Sequence, residues 1–150
     1  MKKIILRISL LLLITFLLNT TLTNANDSWQ HIDRTTIGNI FFNTKSFKTL
    51  NTSSNQTYSV WIKWEWSEEY AKELAKKLSL EKPIAFSLEK WEIDYTNEKM
   101  RTLATVHYDK DGKSLFSHEV QTKWYTIIPD SVGEVVSKTT YDYYIKYYKK

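Results

Sequence analysis

Three histidines, His31, His107 and His118, are the side chains of this sequence that can exchange a proton near neutral pH. A hairpin turning at Asp109, Lys110, Asp111 and Gly112 puts His107 and His118 on one face of the sheet, several residues apart along it. Two imidazoles suggest a metal, yet no Asp, Glu or third His stands at a spacing that completes three or four ligands. They read as solvated side chains of a polar sheet surface. The same turn has the opening of a calcium loop, but the twelve-residue ligand series with its closing Glu is missing, so it reads as a turn. Glu92 and Asp94 share a strand face near Glu89. A glycosidase pair must converge on its substrate from opposite sides, so these acids read as solubilising. No Gly-x-Ser-x-Gly elbow, phosphate-cradling glycine loop or His-Glu-x-x-His motif occurs. The absence of cysteine removes a disulfide framework, a thiolate metal site and a Cys nucleophile together. The expectation is a protein that is not an enzyme, with no catalytic, cofactor-binding or metal residue and no cofactor.

The aromatics are the unusual chemistry: 6 Trp, 10 Tyr and 6 Phe in 150 residues, which is enough apolar mass for a packed core. Trp61 sits on the polar side of its strand, and five tyrosines crowd residues 141–150. One reading is core and sheet packing, where aromatics pair well across strands. The other is a protein-binding or self-association surface built from Trp61, the tyrosine tail and the lysines between them, since Trp and Tyr dominate interface energetics. Which residues would bind is not assigned.

The elements that position these groups follow from periodicity. Tyr58, Val60, Ile62, Trp64 and Trp66 alternate with Ser59, Trp61, Lys63 and Glu65, which predicts a strand with five large residues on one face. Ser67 then caps a short amphipathic helix near 67–80: Glu68 and Glu69 suit its positive start, Lys76 and Lys77 its negative end, and Tyr70, Leu74 and Leu78, with Ala71 and Ala75 beside them, form an apolar stripe. Strands are expected over 37–42, 84–95, 99–108 and 114–122, with 124–128 extending or following the last. Met100, Thr102, Ala104, Val106 and Tyr108 are expected on one face, and 43–55 as a polar loop. Ser131 with Glu134 predicts a capping box opening a helix whose stripe is Val132, Val135, Val136 and Thr139. The tyrosine tail fits either a continued helix or an edge strand. The fold class is α+β, an antiparallel meander covered on one face by a C-terminal helix.

Lys2, Lys3 and Arg7 precede an apolar run over 8–18 and a small residue, Ala25, the order of a secretory signal. The run is shorter than the ~20 residues a membrane-spanning helix needs. Residues 1–25 are read as the signal and 26–150 as one exported domain, in the periplasm, at the cell surface or outside the cell. It has no integral membrane segment after cleavage and is not lipid-anchored, since no cysteine can be acylated. Of the 21 Lys and Arg, three lie in the signal, which holds no acid, leaving 18 against 17 Asp and Glu. The formal +4 charge is therefore mostly an export label, and nucleic acid is not an expected partner.

One series of short motifs adds a family. Trp29 with residues 38–46, then 60–63, then 91–95 followed by Arg101, then 108–112, then Trp124 with 128–134, resembles the bacterial surface-adhesin protein E family in order and spacing. The resemblance implies a curved antiparallel sheet of about six strands, an ordinary sheet size, with a C-terminal helix on its concave side. In that family a Cys usually ends the strand matching 92–95 and another lies in the final helix near Tyr141, and the two can form a disulfide. Here both positions are Tyr, which implies that Tyr95 and Tyr141 pack together and partly replace the tether. The resemblance also implies adhesion by protein–protein contact, with host or extracellular-matrix proteins as partners. The alternative is a self-associating, homodimeric envelope protein with no adhesive role.

Overall fold

Ten residues of strict alternation make the strand on which the molecule is built. The computed structural model describes residues 28–50, 56–119 and 121–149, so the expected secretory segment lies outside the described residues. The elements run β1 (Trp29–Thr35), β2 (Gly38–Asn43), β3 (Lys48–Thr49), β4 (Thr57–Trp66), α1 (Glu68–Lys77), β5 (Phe86–Asp94), β6 (Lys99–Tyr108), β7 (Ser114–His118), β8 (Tyr125–Thr126) and α2 (Val132–Tyr147). The strands form one antiparallel sheet in the order β1-β2-β4-β5-β6-β7, with β3 beside β4 and β8 beside β6. This is the α+β meander expected, with six strands along its path.

Tyr58, Val60 and Ile62 are fully buried and Trp64 nearly so, on the face that α2 covers. Ile40 and Phe42 of β2 and Trp91 and Ile93 of β5 join them by register, since Trp64 pairs with Ile40 and Val60 with Trp91. Burial of these side chains contributes roughly 1.5–3 kcal/mol each before entropy is counted.

Helix α1 starts as expected, with the Ser67 hydroxyl accepting from Tyr70 N, acids in the first turn and lysines in the last. At α2 the box is altered. Ser131 Oγ accepts from Glu134 N at 3.2 Å, but the Glu134 carboxylate reaches Asp130 N at 2.8 Å rather than Ser131 N. Asp130 has a positive φ of 58°, which aims its N–H back at the helix. The buried stripe of α2 also differs from the expected one: it is Gly133, Val136, Ser137, Thr140 and Tyr144, while Val135 is exposed. Small residues win because the helix lies close to the sheet. A Cβ on Gly133 would stand 2.5 Å from Met100 Cε, and Thr140 Oγ1 lies 2.9 Å from the buried Tyr58 hydroxyl.

Two further expectations fail for identifiable reasons. In β6, Thr102 pairs with Trp91 and Ala104 with Lys90, so Leu103 is an extra residue, a β-bulge. The alternation therefore inverts. Met100 and Thr102 share the helix face, whereas Ala104, Val106 and Tyr108 pair with Lys90, Leu88 and Phe86 on the other. Residues 43–55 are also more than a loop, because β3 pairs Lys48 with Ser59 and Thr49 with Tyr58, carrying Phe47 into the core.

From Tyr141 onward, α2 is held by ring contacts. Tyr95, just beyond β5, stacks on Tyr141 with ring centroids 3.7 Å apart and planes 7° from parallel. The resemblance had implied this pairing. Aromatic pairs contribute ~0.5–1.5 kcal/mol beyond the area they bury. A double-mutant cycle of Tyr95→Ala and Tyr141→Ala, followed by urea unfolding, is expected to return a coupling of about 1 kcal/mol. Strictly additive losses would show that the stack does not fasten the helix.

Candidate binding surface

The histidines do not converge. His31 is on β1 against Phe41, with ring centroids 5.2 Å apart. His107 and His118 do share a face across the β6–β7 hairpin, but Phe116 pairs with His107 and stands between the two imidazoles, about 6 Å from each. His107 is buried rather than solvated: Trp66 Nε1 donates to Ser87 Oγ at 2.7 Å, and that hydroxyl lies 2.6 Å from His107 Nδ1. Burial holds the His107 pKa below its usual value, so the fold disfavours the imidazolium. The resulting stability is complete above about pH 6.5 and is lost as pH falls below it. Replacing His107 by Gln is expected to flatten the fall in melting temperature between about pH 7 and pH 5. An unchanged slope would assign that fall to other groups.

The acids also differ from the expected solvated row. Glu92 and Asp94 share the back face, yet both are buried, and Glu92 Oε2 accepts from Arg101 Nε at 2.6 Å. Glu89 lies on the helix face, where Trp91 Nε1 donates to its Oε2 at 2.8 Å; burial nevertheless pushes its pKa up. Asp109 closes the hairpin by accepting from Asp111 N and Lys113 N, which holds its carboxyl below the usual range. Each charged candidate thus satisfies a neighbour in the fold. Among the described residues, no three His, Asp or Glu side chains gather as a metal set.

The aromatic candidates separate. Trp61 is half-buried on the back face, its strand neighbours Val60 and Ile62 pointing into the core, so it does not share a surface with the tyrosine tail. The tail continues α2. Helical spacing places Tyr144 in the core, where it stacks on Tyr58 at 4.7 Å and donates from its hydroxyl to Thr49 Oγ1 at 3.0 Å. One residue earlier, Tyr143 packs on Phe42 at 5.1 Å and Phe47 at 5.6 Å, and one turn later Tyr147 lies 4.5 Å from Tyr143. Tyr148 lies 5.0 Å from Phe47 and donates to Thr44 O; burial raises its pKa.

The result is an unbroken aromatic column from the buried Tyr58 to the surface, where Tyr147 is 55% and Tyr148 37% exposed. A cleft of about 340 Å³ opens beside Tyr143 and Tyr147, with Phe42 as floor, Gln30 of β1 on one side and Asp142 and Lys146 at the rim. The Lys146 ammonium lies 5.0 Å from the Tyr147 ring centre. Strand β1 ends the sheet order here, so its outer edge has no strand neighbour among the described residues. The geometry offers rigid aromatic rings with polar tips, flanked by one cation, one anion and a strand edge. Phe47 and Gln30 were missed as contributors; the signal for Phe47 was a lone aromatic inside an Asn-, Thr- and Ser-rich run.

The helix-backed antiparallel sheet thus presents exposed aromatics on buried supports. Residues 29–140 match the family of surface-adhesin protein E, and the chain belongs to that family. No curated protein and no solved structure matches the chain. No helix among the described residues is long and apolar enough to cross a membrane.

Proposed function

We propose that residues 26–150 are the exported domain of a surface-adhesin-like module, which binds a partner protein through the tyrosine face at the end of α2 without catalysis or cofactor. The observation that carries this reading is the aromatic column. Tyr147 and Tyr148 stand on Tyr143 and Phe47, which rest on the core, so their rings lose little freedom on binding. Rigid aromatics at the centre of a patch supply most of the energy of typical interfaces. Family membership supports an exported or cell-surface location, and extracellular-matrix proteins are the first partners to test.

The test is solid-phase binding of residues 26–150 to a set of immobilised matrix proteins. Tyr147→Ala with Lys146→Ala is expected to weaken any saturable interaction at least about tenfold, at unchanged melting temperature. Equal binding by that variant would overturn the assignment. A stable dimer in light scattering, lost in the same variant and without matrix binding, would instead give this face to self-association.

A further inference from the structure

A cavity of about 550 Å³ lies away from the tyrosine face, between α1, residues 82–85 and the 109–111 turn. Its depth is carbon. Ala71, the small inward residue of α1 there, lines it together with Pro83, Ile84 and Ala85. Trp66 forms one wall, and its only polar atom, Nε1, is already spent on Ser87. The backbone of Ala85 is occupied as well: its N–H donates to Tyr108 O at 2.8 Å, and its carbonyl accepts from Trp66 N at 3.3 Å. Pro83 has no N–H to offer. The cavity thus provides contact area and few hydrogen-bonding groups.

Charges stand at the mouth, and they cancel. Lys72 pairs with Glu68 at 2.6 Å and Lys82 with Asp109 at 3.5 Å on either side, while the remaining Lys110 and Asp111 are adjacent and opposite in sign. A cation or anion entering would find no net counter-charge and would lose hydration without return. The volume falls within the range of about 300–1,000 Å³ that accommodates small ligands.

We propose that this cavity is a binding site for an uncharged hydrophobic small molecule of about the size of two or three aromatic rings, unrelated to the protein-binding face. The alanine at position 71 is what keeps it open: a larger side chain there, one turn after Glu68, projects into the space the ligand fills.

N-phenyl-1-naphthylamine, a neutral fluorescent probe of this size, tests the site directly. Titrated into the full folded chain, it is expected to show one saturable site, with energy transfer from tryptophan. Folded Ala71→Phe, its fold checked by its melting transition, should weaken it at least about tenfold. Should Ala71→Phe fail to fold, Ala71→Leu should give the same ordering with a smaller loss. Tyr147→Ala should bind the probe as the parent does. The sulfonated analogue 8-anilinonaphthalene-1-sulfonate should bind at least about tenfold more weakly than the neutral probe. Absence of saturation, unchanged affinity in a folded position-71 variant, or tighter binding of the sulfonate would each overturn the proposal.

Discussion

Replacing Tyr144 by alanine is expected to lower the unfolding free energy by about 3–5 kcal/mol, the range for deleting a buried aromatic ring. Tyr144 is 4% exposed and is the point where three parts of the chain meet. Its ring stacks on Tyr58 of β4 and Phe47 of the β2–β3 connection, and its hydroxyl bonds Thr49 of β3. The alanine variant leaves a void and removes the support behind Tyr143 and Tyr148. For a domain of this size the melting temperature should fall by at least about 10 °C. Tyr144→Phe keeps the ring and loses the hydroxyl contact, so about 1 kcal/mol is expected there. Equal losses in the two variants, read by thermal and urea unfolding, would contradict the stacked column as the main support.

Replacing Gly38 by alanine should cost about 3 kcal/mol or more through a clash that side-chain repacking cannot relieve. Gly38 opens β2 opposite Trp66, and its φ of 155° is disfavoured for any residue carrying a Cβ. An added Cβ would press on the Glu65 carbonyl oxygen, with Glu65 C and Trp66 Cα both at 3.0 Å, all of it backbone of the central strand. Strand β4 cannot retreat without losing its pairing with β5, which runs from Thr57 to Glu65. Gly112→Ala is the comparison: its φ of 75° is strained for alanine, yet a Cβ there meets nothing within 4 Å. The loss at Gly38 should therefore exceed that at Gly112, and the reverse order in urea unfolding would refute the close approach of β2 to β4.

What was legible in the sequence was what neighbours along the chain decide. The alternation from Tyr58 to Trp66, the Ser67 cap and the Asp109 turn rest on contacts within a few residues, and all three appear as read. What was not legible depends on partners distant in sequence. Nothing local marks Leu103 as a bulge; its position follows from the register that β5 imposes on β6. The tyrosine tail has no decisive period because Tyr143 and Tyr144 are consecutive, one lying against Phe42 and the other in the core. Phe47 settles the tail's conformation from almost a hundred residues away. The Tyr95–Tyr141 stack came from a resemblance, since no spacing rule joins a strand end to a helix 46 positions later. Of the candidate site, the tyrosines were visible and their supports were not. Trp61 was assigned to the same surface because strand alternation shows which residues leave the core face, but not what else covers the face they leave.

Docking of a partner protein on the tyrosine face of α2 would leave a mark on backbone exchange. Amide hydrogen exchange of residues 26–150, free and saturated with a matrix protein found to bind, tests it most directly. Docking there should slow exchange over residues 139–149 of α2 and its end, 29–33 of β1 and 44–49, with the β6–β7 hairpin and α1 unchanged. Protection confined to β7, α1 or the back face of the sheet would place the partner elsewhere and contradict it.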